Sequence, residues 1–139
     1  MAVTHFSGPV AVGSGQVTTP TGAVTLTAND NGRTIMLNAA AGFTITLPAV
    51  TNVGWRATFR TGAAFATTNF VVASAEGDNI SGSVIVAGVV VVAGAEDQVN
   101  FVATAETIGD FVELYADGTN WHVFGNAAVT AAITVTDPA

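Results

Sequence analysis

Apolar and polar residues alternate with a period of two through most of the chain after residue 22. Every second side chain is apolar in "AVTLTA" (23–28), "GFTITLP" (42–48), "GWRATFR" (54–60) and "QVNFVAT" (98–104). Turn-forming runs such as Asn-Asp-Asn-Gly (29–32) separate these segments. No window carries a sustained 3.6-residue period with helix caps. We therefore expect an all-β chain, folded as a single jelly-roll-like β-sandwich or a partly open barrel.

The segment "GDFVELYADGTNWHVFG" (109–125) places Asp-Gly-Thr-Asn between two alternating stretches. Val112 and Leu114 share one face before this tetrad, and Trp121 and Val123 resume the alternation after it. Asp and Gly tolerate left-handed backbone, and Asn and Thr can hydrogen-bond the amides of a turn. The pattern predicts a hairpin bend at 117–120 and not a chemical site.

The most apolar stretch is "SVIVAGVVVVAG" (83–94), which glycines divide into two short runs rich in β-branched residues. It falls well short of the roughly 20 residues that a membrane-spanning helix needs. The interpretation we favour is two short strands, or one kinked strand, buried on both faces.

The two ends of the chain differ from the middle. Residues 1–22 carry repeated glycine and proline with little alternation, which predicts an extended N-terminal arm followed by a β-sandwich domain at 23–139. The C-terminal "AAITVTDPA" (131–139) is expected to add a last strand.

Charge limits the classes of partner. The 139 residues carry a net charge of −7, with three arginines and no lysine, so nucleic acid and anionic membranes are poor partners. A mean hydropathy of +0.54 with so few charges favours packing against copies of the chain or a larger shell. Arg56 and Arg60 form a stripe on one strand face, which suits either a salt bridge to a neighbouring subunit or a local intrachain pair.

Catalytic and metal-binding patterns are weak. There is no cysteine and no Gly-x-Ser-x-Gly elbow, and His122 is a single strand histidine. The nearest carboxylate pairs, Glu96 with Asp97 and Asp110 with Glu113, border turns where carboxylates are usually solvated. Calcium is the strongest metal option, yet the acidic turns lack EF-hand spacing. We expect no enzymatic activity, no cofactor and no metal. The residues considered for calcium are Asp30, Glu76, Asp78 and Asn79.

Several of these segments together resemble small β domains of tailed bacteriophages. They are "VTLTANDNGRTIMLN…AAGFTITLPA", "NFVVAS…GDNISGS" and "GDFVELYADGTNWHVFG". This pattern is similar to that of head decoration proteins and fibre modules, and "MAVTHFSGPV" looks like the start of phage head proteins. The resemblance covers roughly residues 1–13 and 23–126.

The resemblance implies a capsid decoration (cement) protein. Such a protein is made in the host cytoplasm, sits on the outer surface of the virion head, and bridges neighbouring major capsid proteins, commonly as a homotrimer with an N-terminal arm. Val89 and Val91, with Arg56 and Arg60, would then be candidates for the subunit interface. Capsid contacts would fall in the arm, at Thr4, His5, Phe6, Pro9 and Val10.

The resemblance leaves a second role open. A tail or head fibre module would bind a host receptor or glycan through Tyr115, an exposed Trp121 or the polar loops. The short chain, without a stalk or repeats, favours the decoration protein.

Overall fold

The computed structural model describes residues 16–138, and residues 1–15 and 139 lie outside the described part. It is all-β, with two sheets packed as a sandwich that does not close into a barrel, so the expected all-β sandwich is confirmed. A single 3₁₀ turn, Ala28–Asp30, is the one helical element among the described residues, and none of them form a helix long and apolar enough to cross a membrane.

Within residues 16–138, twelve strands form the two sheets. The larger sheet has the order β1-β3-β5-β10-β11-β7-β8, and the smaller has the order β12-β9-β6-β4-β2. The strand bounds are β1 Val17–Thr18, β2 Val24–Thr25, β3 Thr34–Leu37, β4 Thr44–Thr46, β5 Arg56–Thr61, β6 Phe70–Ala73, β7 Ile80–Val86, β8 Val89–Glu96, β9 Gln98–Phe101, β10 Phe111–Ala116, β11 Trp121–Ala127 and β12 Ile133–Thr136.

From β1 to β7, each strand lies in the opposite sheet from the one before it. Strands that are neighbours within a sheet are therefore often two apart in sequence and run parallel, as β3 and β5 or β4 and β6 do. Five of the ten neighbouring pairs are parallel. Parallel strands need a crossover connection, and in four of these five pairs the crossover is a strand of the other sheet. The fifth pair, β7 and β11, is connected through β8, β9 and β10.

The period-two pattern places the core as the sequence predicts. Trp55, Ala57 and Phe59 are buried, and the side chains between them face outward. Buried aromatic side chains contact each other edge to face: Trp55 with Trp121, at 5.5 Å between ring centroids, and Phe65 with Phe70, at 4.8 Å. Aromatic pairs in this geometry add to the stability that burial gives.

The valine-rich segment forms a hairpin of two strands, β7 and β8, as one of the two alternatives predicted. Its turn is Ala87-Gly88, and both residues have positive φ, which matches the right-handed twist of the paired strands. Burial on both faces is wrong for both strands. Ile85 of β7 and Val90 and Val92 of β8 are exposed because they point away from the smaller sheet, and Val89 is exposed beside the turn.

The ends of the described region are strands. β1 pairs in parallel with β3, and Arg33 Nη1 donates a hydrogen bond to Thr18 Oγ1 at 2.8 Å. The larger sheet thus begins within the segment 1–22. The expected last strand is present as β12, antiparallel to β9.

Candidate interaction face

The outer face of the larger sheet carries four residues that the sequence singled out, Arg56, Arg60, Tyr115 and His122. Side chains on this face point away from the smaller sheet, and the strand register arranges them in rows across β5, β10, β11, β7 and β8. One row runs Arg60, Phe111, Asn126, Ile85 and Val90. The next row runs Thr58, Glu113, Phe124, Ser83 and Val92, and a third begins Arg56, Tyr115 and His122.

Arg56 and Arg60 contact aromatic rings of the same chain. The guanidinium carbon of Arg56 lies 5.5 Å from the centroid of the Tyr115 ring, and that of Arg60 lies 4.9 Å from the centroid of Phe111. Arg60 Nη1 also donates to the carbonyl oxygen of Gly109 at 3.1 Å. Within residues 16–138 neither arginine has a carboxylate within 4 Å. Their intrachain contacts are therefore cation–π pairs, which are stabilising at partly desolvated sites.

Apolar side chains lie together on the β8 side of this face. Phe124 is 57% exposed, Val90 60% and Val92 69%, and Ile85 is exposed beside them. We call these four residues the outer patch. The ring of Phe124 also contacts that of Phe111, with 6.3 Å between centroids. Of the two valines named as interface candidates, Val89 is exposed, and Val91 packs partly against the core.

The sequence reasoning named Val89 and Val91 but none of the four residues of the outer patch, and Phe124 is the one for which the sequence held a signal. The signal was present, because inward-facing Trp121 and Val123 require His122 and Phe124 to face outward. The arm residues proposed for capsid contact, Thr4, His5, Phe6, Pro9 and Val10, lie outside the described residues.

The tetrad 117–120 is the hairpin bend that the sequence predicts. Ala116 pairs with Trp121 across the turn, and Gly118 has φ +100°. Asp117 Oδ1 accepts hydrogen bonds from the backbone amides of Thr119 and Asn120, both at 2.7 Å. These bonds close the turn within its own residues.

His122 pairs with the same carboxylate. Its Nε2 lies 2.7 Å from Asp117 Oδ2, and both side chains are exposed. The hydrogen bond from His122, followed by those from the turn amides, lowers the pKa of Asp117 to about 2. The pair therefore anchors the turn to β11.

Trp121 does not face solvent. Its side chain is fully buried against Trp55, so the exposed Trp121 of the fibre alternative is wrong. The physical reason is the alternation itself, which directs residue 121 to the same side as Val123. On this sheet face, Tyr115 remains for that alternative.

Solvated carboxylates are expected from the sequence at these turns, and this is wrong for Asp97 and Asp110, which are both buried. The two oxygens of Asp110 accept hydrogen bonds from the amides of Thr107, at 2.8 Å, and Ala128, at 3.0 Å. Glu113 lies on the outer face, in the row that contains Phe124. Asp110 is thus a structural residue that joins a loop to the end of β11.

Two of the calcium candidates accept hydrogen bonds from backbone amides. Asp30 Oδ2 accepts from the amide of Thr27 at 2.8 Å, and Asp78 Oδ2 accepts from the amide of Val50 at 3.2 Å. Within residues 16–138 no group of three or more His, Cys, Asp or Glu side chains is placed to hold a metal ion.

One depression has a volume of about 340 Å³ and is open to solvent. It lies where β10 begins, between Ile108, Phe111 and Asn126. Asp110 lines it, and both oxygens of that carboxylate already accept backbone hydrogen bonds. This depression therefore presents no free charged group to a ligand.

A scan against protein-family models found no match to this chain, and a search of curated proteins found none either.

Proposed function

We propose that the chain is a viral structural protein, a decoration (cement) protein on the outer surface of a tailed-phage capsid. In this role it stabilises the head by bridging neighbouring major capsid proteins. The observation that carries the proposal is the outer patch of Ile85, Val90, Val92 and Phe124. Exposed apolar side chains that lie near one another often mark a contact surface, and contact with a shell would remove these from water.

The position of the patch supports this role. Three of its four residues lie on β7 and β8, and Phe124 lies on the adjacent β11, so hydrogen-bonded strands hold all four side chains. A preordered surface loses little conformational entropy on binding. When hundreds of copies act on one shell, each contact can be weak and the head is still held firmly.

The charge distribution agrees with a position outside the shell. A net charge of −7 repels packaged DNA, and three arginines cannot neutralise many phosphates. Two of those arginines lie against aromatic rings of the same sheet.

The test is binding to heads that lack this protein. Purified chain is added to heads from a deletion mutant, and the bound copies and the temperature of head disruption are measured. We expect saturable binding that raises this temperature. Phe124→Lys should weaken binding at least about 10-fold, because it places a charge within an apolar contact. Val53→Lys is the matched control, since Val53 is 72% exposed and lies on a loop away from the patch.

Two outcomes would count against the proposal. In the first, the wild-type chain does not bind the heads. In the second, Phe124→Lys binds and protects them as well as wild type does, and the outer patch is then not the contact.

A receptor-binding fibre module is the second candidate. The row of Arg56, Tyr115 and His122 favours it, because sugars stack on aromatic rings and bond to such polar groups. Arg56 already covers one face of the Tyr115 ring, which leaves less of it for a sugar. A glycan array probed with the wild-type chain and with Tyr115→Ala tests this role. Binding that Tyr115→Ala abolishes would favour the fibre module.

A further inference from the structure

Strand β8 leaves an open edge on the larger sheet. It runs for eight residues, Val89–Glu96, and no strand among residues 16–138 pairs with its outer side. Edge strands are usually protected from further pairing by charges, proline or bulges. The stretch 89–94 has no charge and no proline, and the register shift lies beyond it, next to Ala95 with φ +74°.

We propose that a second copy of this chain pairs with β8, strand to strand and antiparallel, about a two-fold axis. The lengths of the edge strands support this pairing. The other sheet edges of the described chain are β1, β2 and β12, with two, two and four residues. The strand that matches the eight residues of β8 is β8 itself, and a surface that pairs with its own copy forms a two-fold contact.

Charge sets the direction of the pairing. The charged residues of this segment, Glu96 and the adjacent Asp97, lie at its C-terminal end. A parallel arrangement would bring the carboxylates of the two copies together at one end. The antiparallel arrangement places them at opposite ends, and the middle of the contact is then uncharged.

The faces of β8 restrict the register. Val90 and Val92 both point to the outer face, and residues opposite each other in an antiparallel pair share a face. With the two-fold axis at Val91, Val90 of each copy lies opposite Val92 of the other copy. Four exposed valines then form two cross-strand pairs, and the outer patches of the two copies join into one continuous surface.

This inference rests on β8 and not on the proposed function. It also differs from the resemblance, which implies three copies. A single strand pair lies at or below the ~1,200 Å² of the smaller specific interfaces, so we expect association that depends on micromolar concentration.

The test is the mass of the purified full-length chain in solution, by sedimentation velocity from 1 to several hundred micromolar. We expect a mass that rises with concentration to twice the 13.9 kDa of one chain. Val92→Lys should raise the dissociation constant at least about 10-fold, since the two-fold axis brings two new charges close together. Val53→Lys, with a similarly exposed valine away from this edge, should dimerise as wild type does.

Hydrogen exchange gives a second readout that needs no variant. Amides of β8 in the wild-type chain should exchange more slowly at high concentration than at low concentration, while those of the opposite edge strand β1 do not change. This measurement keeps the proposal testable even where Val92→Lys reduces folding.

Three results would overturn the pairing. One is the mass of a single chain at every concentration, which would be seen if residues 1–15 covered the edge of β8. Another is an assembly of three copies. The third is a dimer that Val92→Lys leaves intact. None of these results measures binding to heads, so the proposed function would stand or fail separately.

Discussion

Replacing Asp110 with alanine removes a carboxylate that holds two backbone amides at the end of the larger sheet. Asp110 is only 5% exposed. Its carboxylate accepts hydrogen bonds from the backbone amides of Thr107, at 2.8 Å, and Ala128, at 3.0 Å. A hydrogen bond to a charged group contributes about 1.5–3 kcal/mol, and a buried amide left without an acceptor costs about as much.

Two such bonds would give roughly 3–6 kcal/mol. The open depression beside Asp110 lets water reach part of this site and recover some of that loss. We therefore expect Asp110→Ala to lower the free energy of unfolding by about 2–4 kcal/mol, a large part of the ~5–15 kcal/mol typical of a domain. Asp110→Asn keeps one acceptor and should lose about half as much.

The measurement is urea denaturation followed by tryptophan fluorescence and circular dichroism, since both tryptophans are buried and report on the core. Glu113→Gln is the control, because that carboxylate lies on the outer face and should change stability by no more than about 0.5 kcal/mol. The reasoning is refuted if Asp110→Ala unfolds within 0.5 kcal/mol of wild type, or no differently from Glu113→Gln.

Two further predictions follow from hydrogen bonds of particular side chains. Trp55 Nε1 donates to the carbonyl oxygen of Thr27 at 3.0 Å, whereas Trp121 Nε1 has no acceptor among the described residues. In urea denaturation, Trp55→Phe should therefore lower the free energy of unfolding by about 1 kcal/mol more than Trp121→Phe does. Equal losses of stability in the two variants would contradict this. Because His122 and the turn amides lower the pKa of Asp117 to about 2, the stability that this pairing gives should be complete above about pH 4 and lost as the pH falls through 2. An NMR titration of the Asp117 carboxyl should have its midpoint near pH 2 in the wild-type chain and at a higher pH in His122→Ala. A midpoint near pH 4 in the wild-type chain would refute the pairing.

Local features of the fold were predictable from sequence. The alternation of Trp55, Ala57 and Phe59 placed the inner face of β5, and the 117–120 bend followed from turn chemistry alone. Both depend on residues close together in the chain, where backbone geometry fixes which way a side chain points.

Features set by distant strands were not predictable. A run of consecutive valines does not show which of its two faces a second sheet covers, so the exposure of Val90 and Val92 was not predicted. The cation–π pair of Arg60 with Phe111 likewise requires β5 and β10 to be neighbours, and these strands are about 50 residues apart in sequence. Neither fact is encoded in a local pattern.

The most direct test of the proposed role is the number of copies of this chain per purified virus particle, before and after the tails are sheared off, by quantitative mass spectrometry. A decoration protein should be present in hundreds of copies that stay with the tail-free heads. A few dozen copies or fewer, lost with the tails, would contradict that role and favour a fibre module, and absence from the particles would contradict both.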